Sequence, residues 1–245
     1  MPGKAAEPWR RNRLLAALSV QDQALLQAYL ADVTLEVGTL LQEAGRPIEQ
    51  VYFPQSGMVS LLAVMTNGQA IETATVGNEG AVGAMSGFGT RLGFTRAVVQ
   101  APLTASRMSS KDFRTAIQAS DGLRQLMVAY NEVLLAQVQQ TAACNALHAI
   151  ESRLARWLLQ TRDRTDHDVL PLTQEFLSQM LGVQRTTVNL ALRQLQRAGV
   201  VRHRRGKVEI TDRNGLEEVA CECYAIVRDQ LYAAIPELGS LTQAA

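Results

Sequence analysis

LTQEFLSQMLGVQRTTVNLALRQLQRAG, residues 172–199, places two runs of apolar residues at helical spacing on either side of Gly182. Thr173 is a suitable N-cap for the first helix, and Gly182 can adopt the backbone conformation of a tight turn. A second helix is predicted from about Gln184 to Arg197, with Gly199 as its C-terminal cap. This spacing predicts a helix-turn-helix.

The outward side of the second predicted helix carries residue types that can recognise DNA bases. Arginine can donate two hydrogen bonds to guanine, asparagine can bind adenine in the same way, and threonine or leucine can touch a thymine methyl group. We therefore expect base contacts from five residues: Gln184, Arg185, Thr186, Asn189 and Leu190.

Residues 200–212, VVRHRRGKVEITD, predict a two-stranded wing with its turn at Arg205-Gly206-Lys207. Positive charge is concentrated here: residues 170–215 contain eight basic and three acidic side chains, whereas the whole chain carries a net charge of only +1. A helical hairpin with a solvated polar face is the alternative, but focused positive charge beside a wing favours DNA binding. We expect phosphate contacts from Arg193, Arg202, Arg204, Arg205 and Lys207.

The part of the chain before residue 109 has a different pattern. One or two short helices are predicted within residues 9–31, and residues 33–108 contain short apolar runs separated by turn signals. Ten of the 17 glycines lie between Gly38 and Gly93. Frequent turns between short strands predict an antiparallel sandwich or barrel.

A long helix is predicted after Ser120-Asp121-Gly122, because residues 123–143 contain neither glycine nor proline. Its apolar stripe can pack on the β-domain or form a dimer interface, and we favour the dimer because a helix-turn-helix usually contacts two half-sites. Further helices are predicted for residues 146–160 and 213–235. The residues assigned to the dimer interface are Leu123, Leu126, Met127, Tyr130 and Leu134.

Composition describes a globular chain that is long enough for two domains: 245 residues, of which 47% are hydrophobic and 19% charged. No apolar run approaches the roughly 20 residues of a membrane-spanning helix. Three cysteines cannot build a disulfide framework and are typical of a reducing compartment, so we expect a cytoplasmic location.

A β-roll, a long helix and a winged helix-turn-helix, in that order, resemble the Crp/Fnr family of bacterial transcription regulators over about residues 14–215. Residues 182–188, GVQRTTV, are similar to the turn and the start of the recognition helix in that family. Arg185 matches a base-contacting arginine, whereas Thr186 and Leu190 replace a frequent glutamate and arginine, so the preferred operator should differ.

The resemblance implies an α+β fold with an N-terminal antiparallel β-roll (a jelly roll like a cyclic-nucleotide-binding domain), a long dimerisation helix and a C-terminal winged helix-turn-helix. The corresponding domains are 1–120 for the N-terminal helices and β-roll, 121–145 for the dimerisation helix, and 146–245 for the DNA-binding domain. It also implies a homodimer that binds palindromic double-stranded DNA and contacts RNA polymerase.

The resemblance weakens at the effector site. Family members that bind cyclic nucleotides use a Gly-Glu pair for the ribose and an Arg-Ser or Arg-Thr pair for the phosphate. Here Ala84 follows Gly83, and Thr95-Arg96 has the reverse order. We therefore expect no cofactor and no cyclic-nucleotide binding of the usual kind. The residues of the possible effector pocket are Gly83, Ala84, Arg91, Thr95 and Arg96.

The sequence also predicts neither a metal site nor catalysis. Cys144 and His148 could share one face of a helix, but Cys221 and Cys223, two apart on a predicted helix, should point in different directions. Residues 33–108 contain no histidine, and the chain has no Walker, G-x-S-x-G or H-E-x-x-H motif.

Two other functions are compatible with the sequence. The first is a constitutive or protein-controlled regulator with a vestigial ligand pocket. The second belongs to a different class: a small-molecule-binding module whose helical domain contacts a protein partner. Salt dependence separates the second from a DNA-binding protein, because phosphate contacts release counterions.

Overall fold

The computed structural model describes residues 8–242. Its helices are α1 Arg13–Ala16, α2 Val20–Gln27, α3 Ser110–Ala119, α4 Asp121–Leu147, α5 Ile150–Thr165, α6 Gln174–Leu181, α7 Arg185–Arg197, α8 Arg213–Val219, α9 Cys223–Ala234 and α10 Pro236–Thr242. Its strands are β1 Ala31–Leu35, β2 Leu40–Gln42, β3 Gln50–Val64, β4 Ala70–Val76, β5 Arg96–Ser109, β6 Val169–Leu170, β7 Val201–Arg204 and β8 Lys207–Ile210. Two 3-10 helices are Pro8–Arg11 and Ala84–Gly87.

The chain forms two compact units. Within the described residues, the first unit comprises 8–62, 74–135 and 230–242, and the second comprises 63–73 and 136–229. Helix α4 contributes residues to both units.

An antiparallel sheet is the centre of the first unit. Its strand order is β1-β5-β3-β4, and β2 pairs with the other end of β5. Phe53 and Phe113 are buried in the core, and their rings pack edge to face with centroids 6.1 Å apart. The antiparallel N-terminal domain is confirmed, but its strands are not all short: β3 has 15 residues and β5 has 14. The two runs predicted on either side of Gly57 form one strand, β3, whose pairing with β5 shifts register there.

The predicted long helix is also confirmed: α4 extends over 27 residues. The Ser120 hydroxyl accepts a hydrogen bond from the Leu123 amide at 2.9 Å, which satisfies an amide at the start of the helix. Leu123, Met127 and Tyr130 are buried in the core of the first unit.

The second unit packs α5, α6, α7 and α8 beside a small antiparallel sheet of order β6-β8-β7. Trp157 of α5 is buried and meets Phe176 of α6 edge to face, with ring centroids 5.9 Å apart. Helices α6 and α7 form the predicted helix-turn-helix, and β7 and β8 form the predicted wing.

Two helix boundaries differ from the prediction. The sequence predicts one helix over residues 146–160, but α4 continues to Leu147 and α5 runs from Ile150 to Thr165. Polar residues 161–165 are helical, with the hydroxyls of Thr161 and Thr165 donating to the carbonyls four residues earlier. Asp166 then ends the helix in a left-handed conformation.

The expected helix over residues 213–235 is divided into α8 and α9. Ala220 has an extended backbone, with ψ of 147°, so the helix cannot continue through it. Cys221 therefore precedes the next helix rather than lying within one. No helix in the described part of the chain has the length and apolar character needed to cross a membrane.

Candidate DNA interface and effector segment

The turn between α6 and α7 is built by local contacts that the sequence predicts. The Thr173 side chain accepts a hydrogen bond from the Phe176 amide at 3.1 Å and caps α6. Gly182 ends α6 with a positive φ of 65°. The Val183 amide then donates to the Ser178 carbonyl at 3.1 Å, which closes the turn.

Arg153 supports this turn from α5, a role that the sequence analysis missed. Its side chain is buried, and its Nη2 donates to the Leu181 carbonyl at 2.6 Å and to the Asn145 amide oxygen at 2.8 Å. An arginine on the apolar side of a helix is the sequence signal that could have indicated such a role, since buried charges need partners. Its contact with the last residue of α6 helps to position the start of α7.

Helix α7 has one buried face and one exposed face. Its buried side comprises Val188, Ala191, Leu192 and Leu195. The five residues predicted to contact bases lie on the other side: Gln184, Arg185, Thr186 and Leu190 are exposed, and Asn189 is partly exposed. Leu190 is 55% exposed and is therefore accessible to a partner surface.

Two residues of this exposed face form polar contacts with side chains of α6. Arg185 Nη1 lies 3.1 Å from Glu175 Oε2, and both side chains are about two-thirds exposed. Gln174 Nε2 donates to Asn189 Oδ1 at 3.5 Å. An exposed ion pair contributes little to stability, so Arg185 can exchange Glu175 for another partner at low cost.

The wing is a hairpin of β7 and β8, in which Arg204 pairs with Lys207. Its turn consists of Arg205 and Gly206, both with positive φ. Arg202, Arg204, Arg205 and Lys207 are all exposed, and Arg202 forms an ion pair with Glu209 at 2.9 Å. The His203 amide donates to the Gln196 side chain at 3.0 Å and connects the wing to α7. The exposed basic residues of this unit therefore include Arg193 on α7 and four on the wing.

In the effector segment, the position after Gly83 is apolar and enclosed. Ala84 begins a 3-10 helix and is 3% exposed. Gly83 has equally little space, since a Cβ at this position would lie 2.7 Å from the Gln50 carbonyl oxygen. Ala84, which follows Gly83, therefore has no carboxylate that could bind a ribose hydroxyl.

Arg96 is engaged by an acid that the sequence analysis did not pair with it. Its Nε and Nη2 contact the Glu43 carboxylate at 2.9–3.1 Å. Hydrogen bonds from Arg96 hold the pKa of the Glu43 carboxyl below its ordinary value. Thr95 accepts hydrogen bonds from Gln42 through its carbonyl at 2.9 Å and its hydroxyl at 3.5 Å, and Arg91 is exposed.

The residues assigned to the dimer interface lie mainly inside the protomer. Leu123, Met127 and Tyr130 belong to the core of the first unit, and Leu126 and Leu134 pack against that core. This arrangement matches the alternative in which the stripe packs on the β-domain. A different face of α4 is open: Val128 is 43% exposed and Leu135 is 58% exposed.

The structure also brings three cysteines and one histidine together. Cys144, His148, Cys221 and Cys223 have their ligand-type atoms within 4.8 Å of one another. The expected divergence of Cys221 and Cys223 is wrong, because Cys221 lies before α9 and Cys223 is its first residue.

Comparisons with known proteins agree with this architecture. A model of the cyclic nucleotide-binding domain matches residues 32–120, and a model of the Crp-like helix-turn-helix domain matches residues 152–219. Together the two matches cover more than half of the chain. No curated protein matches the sequence significantly.

Several solved structures share the fold. A Crp/Fnr transcriptional regulator from Eubacterium rectale has 17% identity and a TM-score of 0.65, with 84% of this chain covering 96% of that one. FixK2 from Bradyrhizobium japonicum has 15% identity and a TM-score of 0.66, and the match covers 78% of this chain and 98% of FixK2. The c-di-GMP responsive global regulator CLP from Xanthomonas campestris has 17% identity and a TM-score of 0.63, with coverages of 78% and 99%.

The structural similarity shows a shared fold, and the two matched domain models show the family. With a cyclic nucleotide-binding domain followed by a Crp-like helix-turn-helix domain, the chain belongs to the Crp/Fnr family of transcription regulators.

Proposed function

We propose that this regulator is a homodimer that binds a palindromic DNA site, with one α7 helix of each subunit in successive major grooves. The observation that carries the proposal is the exposed face at the start of α7, where Arg185, Thr186 and Leu190 stand beside a basic wing. Two such helices on one face of DNA would contact half-sites about 34 Å apart. Such a regulator would act in the cytoplasm and contact RNA polymerase.

The division of roles between α7 and the wing can be tested with two arginine variants. In Arg185→Ala the loss of a base contact should cost about 1–3 kcal/mol on the best site and relax the preference at one base position. In Arg204→Ala the loss of a phosphate contact should weaken binding to all sequences alike. Binding to a randomised palindromic DNA pool, followed by sequencing of the bound fraction, measures both effects.

A matched control is available on the same helix. Gln194 is exposed on α7 but lies outside the predicted base-contacting set, so Gln194→Ala should leave the selected sequence unchanged. Equal, sequence-independent losses in the Arg185 and Arg204 variants would contradict the division of roles. Absence of DNA binding in the unmodified protein would instead favour a protein partner for the helical domain.

We further propose that the β-domain does not bind cyclic AMP in the manner usual for the family. Two observations support this: Ala84 presents an apolar, enclosed position where an acid would bind the ribose, and Arg96 is already paired with Glu43. A phosphate would have to displace the Glu43 carboxylate to use this arginine.

Calorimetric titration with cyclic AMP and cyclic GMP tests the effector proposal, together with DNA binding measured by fluorescence anisotropy with and without each nucleotide. We expect no heat of binding and unchanged DNA affinity. Micromolar nucleotide binding that sharpens DNA selection would overturn the proposal. Glu43→Gln serves as the second variant, because releasing Arg96 should increase any residual affinity for an anionic ligand.

A further inference from the structure

Residues 144–148 and 221–223 form a compact cluster of three thiols and one imidazole, here called the Cys-His cluster and comprising Cys144, His148, Cys221 and Cys223. The cluster lies within the second unit and includes all the cysteines of the chain. The three cysteines are buried and His148 is partly buried. Neither the DNA-contacting surface nor the effector segment uses these residues.

Two separations within the cluster are close to the edges of a tetrahedron around a single metal ion. Zn–S bonds of about 2.3 Å and Zn–N bonds of about 2.0–2.1 Å at tetrahedral angles give about 3.8 Å between two sulfurs and about 3.6 Å between sulfur and nitrogen. Cys144 Sγ and Cys221 Sγ are 3.5 Å apart, and Cys223 Sγ and His148 Nδ1 are also 3.5 Å apart. All four ligand atoms fall within 4.8 Å of one another, which is too close for an iron-sulfur cluster with several metal ions between them.

The orientation of the imidazole also suits a metal ligand. His148 directs Nδ1 toward the sulfur of Cys223, and its Nε2 lies 3.1 Å from Glu222 Oε1. Metal-binding histidines generally donate their second ring N–H to a carboxylate or carbonyl, which sets the tautomer and orients the ring. Gln140 Nε2 donates to Cys223 Sγ at 3.0 Å and would hold a second ligand in the same way.

Two arginines of the second unit can balance negative charge on the sulfur ligands. Arg153 donates to the Asn145 amide oxygen at 2.8 Å, one residue along the chain from Cys144. Arg153 and Arg156 are both buried in the same unit. Three thiolates, one neutral imidazole and a divalent ion carry a net charge of −1, which these arginines would balance.

We propose that Cys144, His148, Cys221 and Cys223 bind one zinc ion in a closed, four-coordinate site. Thiolate and imidazole ligands together select zinc among the common divalent ions, and four protein ligands leave no open position for substrate, which is the arrangement of a structural site. Zinc binding would displace the protons of the thiols and release them to solvent. The proposal replaces the expectation from sequence that the chain holds no metal.

The positions of the ligands indicate which segments a bound ion would connect. Cys144 lies in the last turn of α4, His148 between α4 and α5, Cys221 just before α9, and Cys223 at the first residue of α9. One ion would therefore connect three segments of the second unit, two of which are separated by 77 residues in sequence. Zinc binding should stabilise this unit, because the site does not exist in the unfolded chain.

Metal content of the full-length chain is the direct test. The protein is prepared without a histidine tag, in reducing buffer, from cells supplied with zinc, and is analysed by inductively coupled plasma mass spectrometry. We expect one zinc ion per chain, and removal by a chelator should lower the thermal unfolding midpoint. Replacement by Co²⁺ should produce sulfur-to-cobalt charge-transfer bands and the intense visible bands of tetrahedral cobalt.

Variants identify the ligands. Cys223→Ser and His148→Ala should each lose most of the bound zinc and alter the cobalt spectrum, whereas His167→Ala, an exposed histidine outside the cluster, should keep both. Glu222→Gln should retain the site but bind zinc roughly 10–100-fold more weakly, because only the orientation of His148 changes. This variant keeps the test valid even if a cysteine variant fails to fold.

Three results would overturn the proposal. The first is a reduced, folded wild-type chain that retains no zinc and shows no tetrahedral cobalt spectrum on titration. The second is a His148→Ala protein with unchanged zinc content and spectrum, which would remove histidine from the ligand set. The third is a Cys144–Cys221 disulfide that forms in the zinc-supplied protein in place of bound metal.

Discussion

Gly182 and Gly199 each terminate a helix of the helix-turn-helix with a positive φ, 65° and 80° respectively. Their surroundings differ. A Cβ on Gly182 would lie 2.7 Å from the Ile71 Cδ1 atom, whereas a Cβ on Gly199 would meet nothing within 4 Å. The pair therefore separates the cost of the left-handed backbone from the cost of crowding.

Both Gly182→Ala and Gly199→Ala should destabilise the protein, since an L-residue in this conformation costs about 1–2 kcal/mol. Gly182→Ala should cost more, because Ile71 must also move. Urea unfolding of the two variants, followed by circular dichroism, measures the difference.

Asparagine serves as the control at the open position, because it tolerates the left-handed conformation better than alanine. Gly199→Asn should recover part of the stability that Gly199→Ala loses. Equal losses for the two alanine variants would show that contact with Ile71 contributes nothing.

At the scale of the element, the wing hairpin contains a local conflict between stability and charge. Its two-residue turn places Arg205 at φ of 35° before Gly206. Asn-Gly is the favoured sequence for such a turn, and arginine is a poor choice in the left-handed region. The turn therefore holds an exposed positive charge at a cost in conformational energy.

Arg205→Asn should stabilise the fold by several tenths of a kcal/mol to about 1 kcal/mol and weaken DNA binding at the same time. Thermal unfolding and fluorescence anisotropy on one DNA fragment provide the two readouts. Arg204→Asn is the control for the gain in stability, because Arg204 lies in β7 and has no positive φ. An Arg205→Asn protein with unchanged thermal stability and unchanged DNA affinity would contradict this interpretation of the turn.

Helix α4 carries two apolar stripes. One is buried in the protomer through Leu123 and Met127. The other is exposed and includes Val128 and Leu135, which are seven residues apart, a spacing typical of a helix-helix contact between subunits.

Leu135→Glu should therefore weaken the proposed homodimer by at least tenfold, because it places a charge within an apolar contact. Sedimentation velocity over a range of concentrations measures the shift toward monomer. Val20→Glu is the matched control: Val20 is 74% exposed on α2, outside α4, and its substitution should leave the association unchanged. A monomeric wild-type protein or an unchanged Leu135 variant would contradict dimerisation through this face.

For the molecule as a whole, the distribution of charge matters more than its sum. The chain has a net charge of +1, but residues 170–215 have eight basic side chains against three acidic ones. The logarithm of the DNA-binding constant should fall steeply and linearly with the logarithm of salt concentration, with a slope of about −0.9 for each phosphate contacted.

Arg204→Ala should reduce the magnitude of that slope by about 1 for each phosphate that the variant no longer neutralises, and Gln194→Ala should leave the slope unchanged. Anisotropy titrations at several salt concentrations provide the slopes. A nearly flat dependence in the wild-type protein would indicate that the basic surface binds something other than a nucleic acid.

Local sequence was sufficient for much of this architecture. Apolar spacing, Thr173 and Gly182 located both helices of the helix-turn-helix, because helix caps and turns depend on neighbours a few residues away. The wing was predictable for the same reason, whereas the lengths of β3 and β5 were not. Helix ends were less accurate, since the polar residues 161–165 could continue α5 or leave it, and Ala220 offers no turn signal.

By itself, then, the sequence determined which segments form helices and strands and which face of α7 is polar. Only the tertiary structure decided that Leu123 and Met127 face the protomer's own core, that Arg96 pairs with Glu43, and that Cys144 meets Cys221. The physical reason is that periodicity constrains a residue relative to its own helix or strand. The distance between residues 77 positions apart depends instead on how whole elements pack against each other.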